Sequence, residues 1–142
     1  MLKGVPAVLS PELMLVLMEM GHGDEIVIAD GNFPAAACAS KYIIRCDGNN
    51  VPEVLEAILK FFPLDKYVEA PVAVTEVVPG DPVQPIIWEE YKKIIKKYEG
   101  NIKIEEVERF AFYERAKKAY AIVATSEEAL YANIILKKGV VK

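Results

Sequence analysis

The sequence predicts a three-layer α/β/α fold on a mostly parallel, mixed sheet, and three observations carry that prediction. Short apolar runs such as "EIVIA" alternate along the chain with longer segments whose apolar residues recur at i, i+3, i+4 and i+7. The short runs are continuously apolar, which suits strands covered on both faces, as in parallel sheets flanked by helices. No low-complexity linker or internal repeat interrupts the 142 residues, which fit one domain spanning 1–142.

The first helix is read in "SPELMLVLMEMG", where Ser10 can cap, Pro11 suits the first turn and Gly21 can end it. Leu13, Val16, Leu17 and Met20 mark its buried face. "EIVIAD" is the first strand, "FPAAACAS" a short helix, and "YIIRC" a second strand closed by the Asp47-Gly48 turn. "NNVPEVLEAILKFF" is a helix with Asn50 and Glu53 in capping-box positions and Val54, Leu55, Ile58 and Leu59 facing inward. After the strand "VAVTEV", the stretch "PGDPVQP" reads as a rigid loop, exposed by default. "IIWEEYKKIIKKYEG" is an amphipathic helix with Ile87, Tyr91, Ile94, Ile95 and Tyr98 on one face and a solvated lysine face opposite. "NIKI" is read as a strand, "EEVERFAFYERAKKA" as a helix, and "YAIVAT" and "YANIILKKG" as strands.

Composition excludes several function classes. A net charge of −4, with no basic run longer than a lysine pair, argues against nucleic acid as a partner. Nothing approaches the ~20 consecutive apolar residues of a membrane span, and the start lacks the features of a signal peptide. A cytoplasmic protein without membrane contact is expected. The 53% hydrophobic content is then expected to cover a subunit interface. Cys38 and Cys46, eight apart and without a CxxC pattern, read as small buried hydrophobes, and no metal site is expected.

The candidate chemistry lies in "EMGHGDEIVIADGNFP", which holds the only histidine, His22, between two glycines. In open α/β sheets, sites form outside the carboxyl ends of strands, where Asp30 falls. His22 precedes that strand and so lies at the opposite edge. Either the two do not share a site, or a neighbouring subunit completes it. From spacing alone, His22 is either a helix C-terminal imidazole that suits the dipole or a proton-transfer group. Asp30 is either a helix cap or a ligand.

At "GHGDEIVIADGNFP", "RFAFYERAKKAYAIVAT" and "LYANIILKKGVV" the sequence resembles the sugar mutarotase and pyranase family, which comprises the fucose mutarotases and the D-ribose pyranases. The resemblance runs from "SPEL" to the C-terminus, and "RFAFYERAKKA" looks like the fucose branch; the ribose branch has a histidine where this chain has Arg109. Two departures are Gly31, where the family has alanine, and Ser126 in "TSE", where it usually has glycine.

The resemblance implies His22 as the proton-transferring residue. It implies sugar contacts from Asp30, Arg109, Tyr131 and Asn133, with the backbone of Ala132 alongside, and further contacts from Tyr113 and Asp65. It also implies ring-like homo-oligomers, decamers in bacterial members and smaller assemblies in others, with sites shared between subunits. The implied activity is interconversion of the α and β anomers of a monosaccharide, L-fucose before ribose, without metal, nucleotide or other cofactor. One imidazole, with an ordinary pKa of about 6.5, can act as both acid and base near neutrality. The competing readings are a non-catalytic sugar-binding or transport-accessory protein and a D-ribose pyranase-type activity.

Overall fold

The computed structural model describes all 142 residues. Six strands form one sheet: β1 (Glu25–Ala29), β2 (Tyr42–Cys46), β3 (Val72–Thr75), β4 (Ile104–Val107), β5 (Ala121–Thr125) and β6 (Ile134–Lys137). Their order is β2-β5-β1-β6-β3-β4. β1 pairs in parallel with β5, β5 with β2, and β3 with β4. β6 lies between β1 and β3, antiparallel to both. The sheet is therefore mixed as expected, and its one reversed strand is central. This reversal has a consequence for function, because the amino end of β6 meets the carboxyl ends of all the others.

Five helices cover the sheet: α1 (Pro11–Glu19), α2 (Ala35–Cys38), α3 (Val51–Leu59), α4 (Ile87–Glu99) and α5 (Arg109–Lys117). Alternate side chains of a strand point to opposite faces, and β1 feeds both cores in turn. Ile26 and Ile28 join the core made with Leu13 and Val16 of α1, Leu55 and Ile58 of α3, and Tyr91 and Ile95 of α4. Val27 and Ala29 join the core made with Cys38 of α2 and Phe112 and Ala116 of α5. Both cysteines are free and buried, as read from the sequence. No helix is long and apolar enough to cross a membrane.

The expected caps form where backbone donors need them. Ser10 Oγ accepts from Leu13 N–H at 3.1 Å, and Asn50 Oδ1 accepts from Glu53 N–H at 2.9 Å. The capping box is only half closed, because Glu53 Oε2 accepts from Asn49 Nδ2 instead of the cap's backbone. α1 ends at Glu19 with Met20 as its cap, and the left-handed turn residue is Gly23 (φ +88°) in place of Gly21.

Several element boundaries differ from the sequence reading, the strand read in "NIKI" starting only at Ile104, and two of the differences bear on the site. "EEV" is strand, not helix: it pairs with β3 from Val72↔Ile104 to Thr75↔Val107. α5 begins only after Glu108, whose carboxylate accepts from Phe110 and Ala111 N–H, both at 3.0 Å. At the other boundary, "YAN" is not strand, because Tyr131 takes a left-handed backbone (φ +58°) and pairing starts at Ile134.

Candidate active site

The reversed strand gathers one group of candidate residues at the carboxyl edge of the sheet. β6 pairs with β1 up to Ile28↔Ile134, so Asn133 arrives beside the end of β1. Its Oδ1 accepts the Asp30 backbone N–H at 2.8 Å. Asp30 does not cap the short α2. Its Oδ1 accepts from Asn32 N–H at 3.0 Å, while burial pushes the carboxyl above its ordinary value against that bond. A carboxylate kept partly out of water is suited to accept a hydrogen bond from a ligand's hydroxyl.

Tyr131, Ala132 and Asn133 form the turn leading into β6, and α4 holds that turn from behind. Trp88 Nε1 donates to the Tyr131 carbonyl at 2.8 Å, and the buried Tyr91 hydroxyl donates to the Ala132 carbonyl at 2.6 Å. These bonds hold a left-handed backbone that a side chain as large as tyrosine disfavours. The Tyr131 phenol donates to Asp81 Oδ2 at 2.5 Å and accepts from Val78 N–H at 3.3 Å. Asp81, Trp88 and Tyr91 were not among the sequence candidates. The signal for them was thin: an acid in a proline loop, then two aromatics with polar tips three residues apart.

Arg109 opens α5, directly after β4 has run to the same edge. Its Nε donates weakly to the Tyr113 hydroxyl at 3.4 Å, and its guanidinium lies 5.6 Å from both the Phe110 and Tyr113 ring centres. Tyr113 is propped edge-on against Phe33 at 5.3 Å, and Phe33 follows Asp30 by three residues. Asp30, Arg109, Tyr113, Tyr131, Ala132 and Asn133 thus share one edge, with donors, acceptors and aromatic faces together.

His22 and Asp65 occupy the opposite edge. The turn between α1 and β1 is tied by Gly23 N–H to the Lys138 carbonyl at 2.8 Å and by Gly21 N–H to Asp24 Oδ2 at 2.7 Å. It presents His22 with its side chain 46% exposed, while Nε2 lies 3.1 Å from Oδ1 of Asp65, whose side chain is 4% exposed. The imidazole is therefore tied to a carboxylate and not to the end of α1. Asp65 is fixed by its own N–H on the Lys137 carbonyl and by Tyr67 N–H on its Oδ1, each at 3.0 Å. The Tyr67 N–H and then His22 hold the Asp65 carboxyl below its ordinary value.

The five residues of β1 separate the two groups by roughly 17 Å at ~3.3 Å per residue. Within one chain the His22 pair and the Asp30 group do not meet.

Each edge is rimmed by exposed apolar side chains. Met18, Phe61 and Tyr67 flank the His22 edge, and Val78, Ile86, Phe110 and Leu130 flank the Asp30 edge. Met18 and Phe61 line a ~100 Å³ apolar hollow together with Lys138, whose carbonyl takes the Gly23 N–H.

Gly31 and Ser126, the two positions that the resemblance singles out, lie against each other. A Cβ on Gly31 would stand 3.2 Å from the Glu127 carbonyl oxygen and 3.7 Å from Ser126 Cα. The Ser126 hydroxyl accepts from Gly48 N–H at 2.8 Å.

Comparison with known proteins agrees with this architecture. Residues 3–141 match the model of the RbsD / FucU transport protein family. A human fucose mutarotase is 55% identical over 144 residues, covering 98% of this chain and 94% of its own length. An L-fucose mutarotase of Actinobacillus pleuropneumoniae serotype 5b (strain L20) is 55% identical over 141 residues, covering 99% of this chain and 97% of its own. The crystal structure of the fucose mutarotase in complex with L-fucose from Streptococcus pneumoniae matches with a TM-score of 0.94 at 56% identity, covering 99% of this chain and 100% of that one. The chain belongs to the RbsD / FucU family, within the branch that contains the fucose mutarotases.

Proposed function

We propose that the protein is an L-fucose mutarotase in which His22 moves the proton and the carboxyl-edge group holds the sugar. The observation that carries this reading is the half-exposed imidazole anchored through Nε2 to a buried carboxylate. An ionised carboxylate only accepts hydrogen bonds, so Asp65 keeps the imidazole proton on Nε2 and leaves the Nδ1 lone pair free. The names and the identity of the relatives support the substrate.

In the proposed mechanism, Nδ1 takes the proton of the anomeric hydroxyl, and Asp65 stabilises the imidazolium that results. The C1–O5 bond breaks, the electron pair goes to the ring oxygen, and the imidazolium returns the proton there. The open aldehyde turns about C1–C2, and the same steps in reverse close the other anomer. Nothing is oxidised or reduced. Asp30, Arg109, Tyr113, Tyr131, Asn133 and the backbone of Ala132 bind the hydroxyls and ring of the sugar.

The two edges are read as halves of one site, joined when the His22 edge of one subunit meets the Asp30 edge of the next. The two apolar rims support this: different patches that bind head to tail build rings when the rotation closes. The proposed working form is a ring-like homo-oligomer, decameric as in bacterial members of the family. Cytoplasmic residence is part of the proposal, consistent with two free buried thiols.

Anomer-exchange NMR with L-fucose, D-galactose and D-ribose tests the function. The expected result is L-fucose exchange well above the buffer rate. Binding of L-fucose without faster exchange would mean a sugar-binding protein instead.

A further inference from the structure

The proline loop between β3 and α4 delivers one acid to the phenol of Tyr131. Pro79 and Gly80 (φ +89°) fill the two central positions of a turn closed by Asp81 N–H to the Val78 carbonyl at 3.0 Å. Proline fixes the first central position and glycine supplies the positive φ of the second, the signature of a type II turn. Asp81 then braces the next stretch by accepting from Val83 N–H on Oδ1 at 3.0 Å, leaving Oδ2 for the Tyr131 hydroxyl at 2.5 Å.

A phenol has one proton to donate, and here that proton is committed to Asp81. One lone-pair direction on the phenol oxygen takes the Val78 N–H at 3.3 Å, so what remains for a ligand is an acceptor. We infer that Asp81 is a positioning residue of the sugar site: by taking the Tyr131 proton, it makes the phenol oxygen an acceptor for a hydroxyl of the substrate. This rests on the reading of the carboxyl edge as the sugar-binding half. The charge state agrees with the geometry. The bond from Tyr131 holds the Asp81 carboxyl below its ordinary value, and the same bond pushes the Tyr131 phenol above its own. The proton therefore stays on Tyr131 near neutrality.

Asp81→Asn inverts this arrangement with little change of shape. Its Oδ1 can keep the bond from Val83 N–H, which turns the amide NH₂ toward the phenol as a donor and frees the phenol proton to point at the substrate. The test is a double-mutant cycle on L-fucose exchange: wild type, Asp81→Asn, Tyr131→Phe and both together. The expected result is that Asp81→Asn raises KM about tenfold, the size of one lost hydrogen bond, with kcat nearly unchanged. In the Tyr131→Phe background it should add nothing, because Asp81 acts through the hydroxyl already removed. Trp88, the only tryptophan, donates to the Tyr131 carbonyl, and its unchanged emission would show the turn intact.

A silent Asp81→Asn, or one that adds its full factor to Tyr131→Phe, overturns the assignment. Should Asp81→Asn not fold, Asp81→Ala takes its place in the cycle with the same two criteria. Wild type without L-fucose exchange removes the sugar-site reading and this one with it. An active wild type with additive losses removes only the role of Asp81.

Discussion

Nε2 of His22 lies 3.1 Å from Oδ1 of Asp65, and this pair unites a half-exposed imidazole with a carboxylate almost wholly removed from water. Asp65 is itself locked by two backbone bonds, so it orients the ring and does not follow it. His22→Gln should leave the fold intact, since the side chain is half in solvent and packs into neither core. It should slow L-fucose exchange by at least ~10²-fold, the low end for general acid–base catalysis. Anomer-exchange NMR on the folded variant checks this, and a wild-type rate would move the chemistry to another residue.

The two acids of the proposed site should affect stability with opposite signs. Burial raises the Asp30 pKa in the folded state, so ionising Asp30 costs stability as pH rises through the ordinary carboxylate range and on through the raised value. Asp30→Asn should therefore raise Tm near pH 7, and the gain should vanish in acid. The Asp65 pKa is depressed, first by the Tyr67 N–H, so its contribution is present above the ordinary carboxylate pKa and lost as pH falls through the lowered folded value. Asp65→Asn should lower Tm near pH 7 and converge on wild type in acid. Thermal unfolding of both variants from about pH 7 to about pH 3 reads the two signs.

Arg109 makes no ion pair on its helix; its guanidinium rests against Phe110 and Tyr113. It is therefore free to donate to a sugar, while the rings beside it can receive the C6 methyl of fucose, worth about 1–3 kcal/mol for one carbon. L-fucose exchange should exceed D-ribose exchange in the wild type. Arg109→His should narrow that ratio without abolishing turnover. Rates for both sugars with both proteins decide it, and a wild type that prefers ribose would contradict the fucose assignment.

Exposed apolar side chains at both edges should be covered in solution. Light scattering should give a mass several times 15.8 kDa. Met18→Glu on one rim and Ile86→Glu on the other should each shift the mass toward the single chain and lower L-fucose exchange in step. A fully active 15.8 kDa species would refute the shared site.

The parts of the fold legible in the sequence are those where one local force decides. Ser10 and Asn50 cap because helix-end donors need acceptors, and β1 reads as covered on both sides because no polar residue interrupts it. Boundaries set by side-chain or tertiary contacts were not legible. Glu108 caps α5, although glutamate is not a preferred cap residue, so "EEV" was read as helix. Tyr131 looked like strand until Trp88 and Tyr91 fixed its left-handed turn. His22 and Asp30 stood out from the residues themselves, while the other candidate site residues came from resemblance and not from spacing. Spacing did place His22 and Asp30 at opposite edges, because β1 alone lies between them. The reversed entry of β6, which brings Asn133 to Asp30, is a tertiary fact that no local pattern encodes.

The claim that one site is built from two subunits is tested most directly by complementation. His22→Gln and Asp30→Asn are each expected to be nearly inactive, since each loses one half of every site. Dissociated, mixed in equal amounts and reassembled, they should form some junctions in which an intact His22 edge faces an intact Asp30 edge. Random mixing makes about a quarter of the junctions whole, so L-fucose exchange should recover to about a quarter of the wild-type rate. A mixture confirmed as hetero-oligomeric by mass that stays as inactive as its parents would contradict the shared site.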